Sequence, residues 1–99
     1  MFMQQKKVEI IIEAVQTPTI INHVDALGLL GYSIIHNAEG RGTHGIRDAQ
    51  EITDVLVQDY LFIICSVEQA QSLLEKIAPI LKKFGGICYL SDVQKFDTK

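Results

Sequence analysis

The chain has no tryptophan, only two prolines and two cysteines, and no excess of basic residues. Two cysteines are too few for the disulfide framework of a small secreted domain, so we expect Cys65 and Cys88 to be free, buried thiols. A net charge of −3 argues against a nucleic-acid partner, which would require a basic surface. No apolar run approaches the ~20 residues that span a bilayer, and no secretory signal is visible. We therefore expect a cytoplasmic protein that does not insert into membranes.

What the chain does contain is enough apolar material for one folded domain. Its 99 residues are 47% hydrophobic and 21% charged, a balance typical of globular proteins rather than disordered ones. The length is also close to the commonest domain size. The composition therefore predicts a single domain over residues 1–99.

Hydrophobic patterning and turn residues predict the order strand, helix, strand, strand, helix, strand. The predicted strands are residues 7–13, 32–36, 57–67 and 87–91, and the predicted helices are residues 17–30 and 66–84. This order is the βαββαβ signature of the α+β ferredoxin-like fold, in which two helices cover a four-stranded antiparallel sheet. The fold hosts many unrelated activities, so function must be argued from particular sites.

Local signals mark the helix ends. Thr17 can accept hydrogen bonds from the free amides of the first turn, and Pro18 suits the first helical position. The second helix starts with a capping box at Ser66. Pro79 lies inside its apolar pattern and predicts a kink or a break near Ala78.

The apolar runs in the first and third strands do not alternate with polar residues. Residues 10–12 are three consecutive isoleucines, and residues 61–65 are Leu-Phe-Ile-Ile-Cys. Successive side chains point to opposite faces of a sheet, so these runs predict apolar residues on both faces. Burying one large apolar side chain contributes ~1.5–3 kcal/mol. We therefore expect further copies of the chain to cover the face without helices, with a strongly apolar monomer as the alternative.

Residues 37–55 form a polar connection between two strands that a hairpin could join with two to five residues. Loops longer than ~12–15 residues are uncommon in compact domains and are usually functional or disordered. Between Ala38 and Tyr60 the chain has five carboxylates and two arginines, so this segment carries a net charge of −3. We expect an effector arm that docks on a partner; a tolerated, solvated insertion is the alternative.

At the base of this connection the chain reads Glu39-Gly40-Arg41-Gly42. Closely spaced glycines let backbone amides approach an anion, and an arginine adds a bidentate donor. The motif has neither the strand and helix context of a dinucleotide fingerprint nor the Gly-Lys-Ser/Thr ending of a Walker loop. An anion cradle is one interpretation, and glycines that serve only the loop are the other.

Residues 31–35, Gly-Tyr-Ser-Ile-Ile, together with the Glu-Gly-Arg-Gly of residues 39–42, resemble the second strand and the start of the T-loop of PII signalling proteins. Residues 86–93 resemble the fourth strand of that family. The chain is most similar in character to divergent PII-like proteins tied to bicarbonate transport and carboxysomes. The resemblance implies a regulatory homotrimer with effector clefts between subunits and a T-loop, at residues 37–55, that contacts a transporter or an enzyme.

By this resemblance three places in the chain would contact the effector: one near an adenine ring, one beside phosphates or a small anion, and one in the position of the family's B-loop. The residues are Ser33 for the adenine, Gly40, Arg41 and Gly42 for the anion, and Lys83, Gly85 and Gly86 for the B-loop. The family's B-loop motif, Thr-Gly-x-x-Gly-Asp-Gly-Lys, is absent, which argues against tight triphosphate binding. AMP or ADP, bicarbonate, or no nucleotide at all remain open.

His36 and His44 bracket the glycine motif and are the candidates for a metal site. No cysteine joins them at ligand spacing, so we expect no metal site. No nucleophile has a base beside it in a recognisable motif, so we expect no catalytic residues and no enzyme activity. The alternative to a PII-like regulator is a protein similar to the CutA family, a trimer of related fold that would bind divalent metal.

Overall fold

The computed structural model describes residues 1–29, 31–39 and 57–98. In these residues four strands and two α-helices follow one another in the predicted order. The elements are β1 (Phe2–Glu13), α1 (Thr17–Ala26), β2 (Ser33–Ala38), β3 (Gln58–Cys65), α2 (Val67–Phe84) and β4 (Ile87–Phe96). The strands form an antiparallel sheet in the order β2-β3-β1-β4. The predicted α+β ferredoxin-like fold is confirmed.

The core lies between one face of this sheet and the two helices. Alternate residues in the second half of β1 and all along β3 are buried, whereas their neighbours are only partly buried. The buried apolar residues are Val8, Ile10, Ile12, Ile20, Val24, Leu29, Leu61, Ile63, Cys65, Ala70, Leu73 and Ile77. Because each large member contributes ~1.5–3 kcal/mol when it leaves water, this layer is the main source of stability.

β1 and β4 are longer than their sequence patterns indicate. β1 begins at Phe2 rather than at residue 7, and β4 continues to Phe96. The two strands pair along nearly their whole length, from Phe2 opposite Phe96 to Ile11 opposite Ile87. The backbone ladder therefore orders residues whose side chains show no strand pattern.

The sheet face that lacks helices, which we term the open face, is less apolar than predicted. On this face β1 presents Lys7, Glu9 and Glu13 beside Ile11, since residues 8, 10 and 12 point into the core. The larger apolar side chains of the open face are Ile11, Ile35, Phe62, Ile64, Ile87 and Tyr89. The prediction of two apolar faces is therefore right for β3, whereas in β1 it holds for Ile11 and the other β1 residues named on the open face are charged.

α1 begins differently from its predicted cap. One turn of 3-10 helix, Ala14–Gln16, precedes it, and Thr17 is already inside the helix. The Thr17 hydroxyl donates a hydrogen bond to Asp59 on β3 (Oγ1–Oδ2, 2.8 Å) instead of capping the first turn. A buried carboxylate without donors costs more free energy than a helix end that water can reach. The Thr17 hydroxyl therefore bonds to Asp59 instead of to the first turn of α1. α1 also ends early, at Ala26, where Gly28 turns the chain with a φ of 72°.

α2 has both of its predicted ends. Ser66 Oγ accepts from the Gln69 amide and the Gln69 side chain accepts from the Ser66 amide, so the capping box is confirmed. At the other end Gly85 takes the left-handed φ of 78°. The helix continues through Pro79, so the predicted break is wrong. Pro79 lies on the exposed side, where water can bond the carbonyl that loses its donor.

Two findings bear on the expectations from composition. Both cysteines are free: Cys65 is buried in the core and Cys88 is half-buried on β4. Burial raises the pKa of both thiols, and the nearby charge of Glu9 raises that of Cys88 further. Among residues 1–29, 31–39 and 57–98, no helix is long and apolar enough to span a membrane.

Candidate functional site

An open cavity of about 860 Å³ lies where β2 starts, and Ser33, a predicted site residue, lines it. Phe62 and Ile64 of β3 contribute its floor, which is part of the open face. The turn after α1 contributes Gly31 and Tyr32 to one wall. The cavity therefore combines a flat apolar surface with the hydroxyl groups of Ser33 and Tyr32.

The opposite wall comes from the extended parts of β1 and β4. Gln5 and Val93 face each other in the β1–β4 ladder, and Lys95 lies two residues further along the same face of β4. Ligand sites are typically apolar surfaces with a few convergent polar groups. An apolar floor with amide, hydroxyl and ammonium groups around it suits a flat heterocycle that carries a negative charge.

Sequence reasoning identified Ser33 in this cavity and missed Gln5, Phe62 and Lys95. Gln5 and Lys95 lie on strand ends that the hydrophobic pattern left out, and only their place in the β1–β4 ladder aims them at the cavity. Phe62 belonged to an apolar run that predicted burial. Strand neighbours alternate between the two faces of a sheet, so Phe62 points outward where Leu61 and Ile63 point into the core. This alternation is the sequence signal that could have identified Phe62.

The predicted B-loop residues form the turn from α2 to β4, which we term the Lys83 corner. The amides of Gly85 and Gly86 both donate to the Leu81 carbonyl, at 2.8 and 3.2 Å. A Cβ on Gly86 would lie 2.7 Å from Leu81 Cδ2 and 3.1 Å from the Ile11 carbonyl oxygen, so a larger residue there would crowd the Leu81 side chain and the backbone of β1. Both amides already have an acceptor, and the Lys83 ammonium lies 5.4 Å from the centre of the Phe84 ring. The phosphate role of these three residues stays a prediction.

Ser33 and the Lys83 corner lie at opposite edges of the sheet. β2 and β4 are the edge strands, and β3 and β1 separate them. Three strand spacings of ~4.8 Å place the two edges roughly 14 Å apart. A single chain therefore does not bring these two parts of the predicted site together. The third part, Gly40, Arg41 and Gly42, lies outside the described residues.

A polar network crosses the open face next to the cavity floor. The Tyr60 hydroxyl donates to Glu9 (Oη–Oε2, 2.6 Å), and the Lys7 ammonium lies 3.8 Å from the same carboxylate oxygen. Lys7 Nζ also stands 4.9 Å from the centre of the Phe62 ring. The hydrogen bond to Glu9, together with burial and the charge of Glu9, raises the pKa of Tyr60 to about 12. The network fixes polar groups on a face that is otherwise largely apolar.

His36 contacts Asp59, with its Nδ1 3.0 Å from Oδ1. Within the part of the chain that the structure describes, no three His, Cys, Asp or Glu side chains lie close enough together to hold a metal ion. His44, the other predicted candidate, lies outside those residues. The metal-binding alternative therefore stays a prediction without a supporting contact.

Comparison with known families and proteins adds independent evidence. A family model described as nitrogen regulatory protein P-II matches residues 5–99, nearly the whole chain. A search of curated proteins gives no significant match.

Several solved structures share the fold along nearly their entire length. CPII, a nitrogen regulatory PII-like protein from Thiomonas intermedia bound to ADP, AMP and bicarbonate, is 24% identical, with a TM-score of 0.84 and 100% of both chains covered. A structure of CPII bound to ADP and bicarbonate is 25% identical, with a TM-score of 0.82 over 96% of this chain and 91% of that one. A putative PII-like signalling protein from Thermus thermophilus is 26% identical, with a TM-score of 0.76 over 95% and 91%.

Proposed function

Because the chain belongs to the family of the nitrogen regulatory protein P-II, we propose that this PII-like regulatory protein binds AMP, ADP or bicarbonate and acts on a protein partner. The cavity beside Ser33 is the observation that carries the proposal. Its apolar floor at Phe62 suits an adenine ring, and Lys95 suits a negative charge. CPII, of the same fold, was solved with ADP, AMP and bicarbonate, which are effectors of these same classes.

We propose a homotrimer in which each effector cleft lies between two subunits. Ser33 and the Lys83 corner lie at opposite edges of one sheet, and a cleft between subunits would bring the two parts of the predicted site together. The exposed apolar side chains of the open face supply the surface that such an assembly would bury. Tyr89, for example, is 61% exposed in the single chain.

We propose further that residues 37–55 are the arm that contacts a transporter or an enzyme. The net negative charge of this segment supports this role, and so does its position: it begins with Asn37 and Ala38, the last two residues of β2, and leads to β3. A pull-down from the native host, with and without adenine nucleotides, tests it. Enrichment of a bicarbonate transporter would assign the protein to carbon signalling, and enrichment of an ammonium channel to nitrogen signalling. Loss of both on deletion of residues 40–55 is expected.

Titration calorimetry with AMP, ADP and sodium bicarbonate tests the effector. We expect saturable binding of at least one of them, with sodium chloride as the control for ionic strength. Removing a charge-assisted hydrogen bond costs ~1.5–3 kcal/mol, so Lys95→Ala and Arg41→Ala should each weaken affinity roughly ten- to a hundred-fold. Lys76→Ala, an exposed lysine on α2, is the matched control and should leave affinity unchanged.

The variants also separate the parts of the site. If Lys95→Ala weakens nucleotide binding and leaves bicarbonate binding intact, the cavity holds the nucleotide and bicarbonate binds elsewhere. If none of the three compounds binds at millimolar concentration, the protein has no such effector. Binding of zinc or copper that His36→Ala abolishes would favour the metal-binding alternative instead.

A further inference from the structure

β2 and β3 fall out of register near the end of β2. Ile35 pairs with Tyr60, but Ala38 pairs with Gln58, so two residues of β2 stand opposite Asp59 alone. This two-against-one arrangement is a β-bulge, which bends a strand and redirects the chain beyond it. The bulge immediately precedes the long connection to β3.

The Asp59 side chain is the acceptor around which this bulge is arranged. Asp59 is only 2% exposed. Thr17 donates to its Oδ2 at 2.8 Å, and His36 Nδ1 lies 3.0 Å from its Oδ1. The backbone N–H of Asn37 donates to the same carboxylate. Because a carboxylate is acceptor-only, all three groups act as donors, and His36 carries its hydrogen on Nδ1.

Both bulge residues therefore bond to one buried carboxylate, His36 through its ring and Asn37 through its backbone. Asn37 has a φ of 60°, in the left-handed region that side-chain-bearing residues rarely adopt. Such a conformation persists only where its surroundings hold it in place. The third donor, Thr17, opens α1, so the carboxylate also attaches the bulge to the helix layer.

We propose that Asp59 is a positioning residue that closes the β2 bulge and holds His36 and Asn37 in place at the end of β2. We term Asp59, Thr17, His36 and Asn37 the Asp59 junction. Its three donors come from two elements, so the junction joins α1 and the end of β2 to β3. Ser33 begins the same strand that the junction ends, and the junction does not depend on what occupies the cavity.

The ionisation of Asp59 is consistent with this role. Burial alone would raise the pKa of this carboxyl, but the hydrogen bonds from Thr17 and His36 outweigh it, and the pKa lies below the ordinary value. The carboxylate is therefore charged at neutral pH and can accept all three donors. An asparagine at position 59 has the same shape, but it is uncharged and has one acceptor oxygen where the carboxylate has two.

Amide hydrogen exchange by NMR tests the junction. Asp59→Asn should speed exchange of the Asn37 amide about ten-fold or more, because that N–H loses its charged acceptor and hydrogen bonds to charged groups are stronger than neutral ones. Amides of the core strand pair, such as those of Val8 and Ile63, should keep their protection. Asp92→Asn, an exposed carboxylate that pairs with Lys6, is the matched control and should leave the Asn37 amide unchanged.

A double-mutant cycle with Asn37→Gly separates positioning from simple packing. Glycine adopts a positive φ without strain, so Asn37→Gly should make the bulge less dependent on Asp59. The unfolding equilibrium constant is measured in urea. Asp59→Asn should increase this constant in both backgrounds, and the increase in the Asn37→Gly background should be several-fold smaller than the increase in the wild type. Equal increases in both backgrounds, or unchanged exchange at Asn37, would overturn the proposal. If Asp59→Asn does not fold, Thr17→Val removes a single donor and the same two measurements apply.

Discussion

At the scale of single residues, the pair Tyr60–Glu9 provides a direct test of the open face. The Tyr60 hydroxyl donates to Glu9 at 2.6 Å, and this bond, with burial and the charge of Glu9, raises the pKa of Tyr60 to about 12. Alkaline titration followed by ultraviolet absorbance should show one of the three tyrosines ionising near pH 12. Glu9→Gln should return it toward the ordinary value of 10.

The hydrogen bond between Tyr60 and Glu9 also determines how the stability of the protein changes with pH. The pKa is raised in the folded state, so the stabilisation is fully present below pH 10 and is lost as the pH rises through about 12. Tyr60→Phe should remove the late-titrating group and so assign it. Absence of a group that titrates near pH 12 would show that the bond to Glu9 does not form in solution.

Asp59 shows what residue-level reasoning from the sequence can and cannot reach. A carboxylate at a core-facing position of β3, two residues before the buried Leu61, was a visible signal of a buried polar group. Its donors were not visible, because Thr17 and His36 belong to other elements and are distant in sequence. Local capping rules assigned Thr17 to the helix start, and the tertiary structure assigns it to Asp59.

At the scale of elements, the turn from α2 to β4 depends on one glycine. A Cβ at Gly86 would approach Leu81 Cδ2 to 2.7 Å and the carbonyl oxygen of Ile11 to 3.1 Å. The backbone of β1 cannot move without disturbing its ladder to β4, so Gly86→Ala should destabilise the protein by ~1–3 kcal/mol. The measurement is urea denaturation at equilibrium.

Gly31→Ala is the matched control for this prediction. A Cβ at Gly31 meets nothing within 4 Å among the described residues, and its φ is not in the left-handed region. A compatible Gly→Ala change typically stabilises by ~0.4–1 kcal/mol, because it reduces the entropy of the unfolded chain. Equal losses of stability in the two variants would contradict the packing requirement at Gly86.

At the scale of the whole molecule, the oligomeric state decides whether the effector cleft can be complete. Size-exclusion chromatography with light scattering should give three times the chain mass of 11.1 kDa. Tyr89→Glu should dissociate the assembly, because it places a charge on the open face where Tyr89 is 61% exposed in a single chain.

Val15→Glu is the matched control for Tyr89→Glu. Val15 is also an exposed apolar residue, at 74%, but it lies in the 3-10 turn before α1 and away from the open face. This variant should keep the trimer mass. A monodisperse wild-type monomer would contradict both the trimer and a cleft shared between subunits.

The order of the elements and the position of the core follow from the amino-acid sequence without knowledge of the fold. Period-two and helical spacing of apolar residues report burial directly, and the capping box at Ser66 and the glycines after α2 report helix ends through bonds between near neighbours. The resemblance carried by residues 31–35, 39–42 and 86–93 indicated the family that residues 5–99 match. These signals are local, so no tertiary structure was needed to interpret them.

Which distant residues contact one another depends on the folded structure. The β1–β4 ladder orders strand ends that have no apolar pattern and brings Gln5 and Lys95 to the cavity of Ser33. The bulge opposite Asp59 arises because a buried carboxylate must find donors wherever the fold supplies them. Contacts of this kind join residues that are distant in the chain. Their energies depend on how deeply the polar groups are buried, and the spacing of residues along the sequence does not report this.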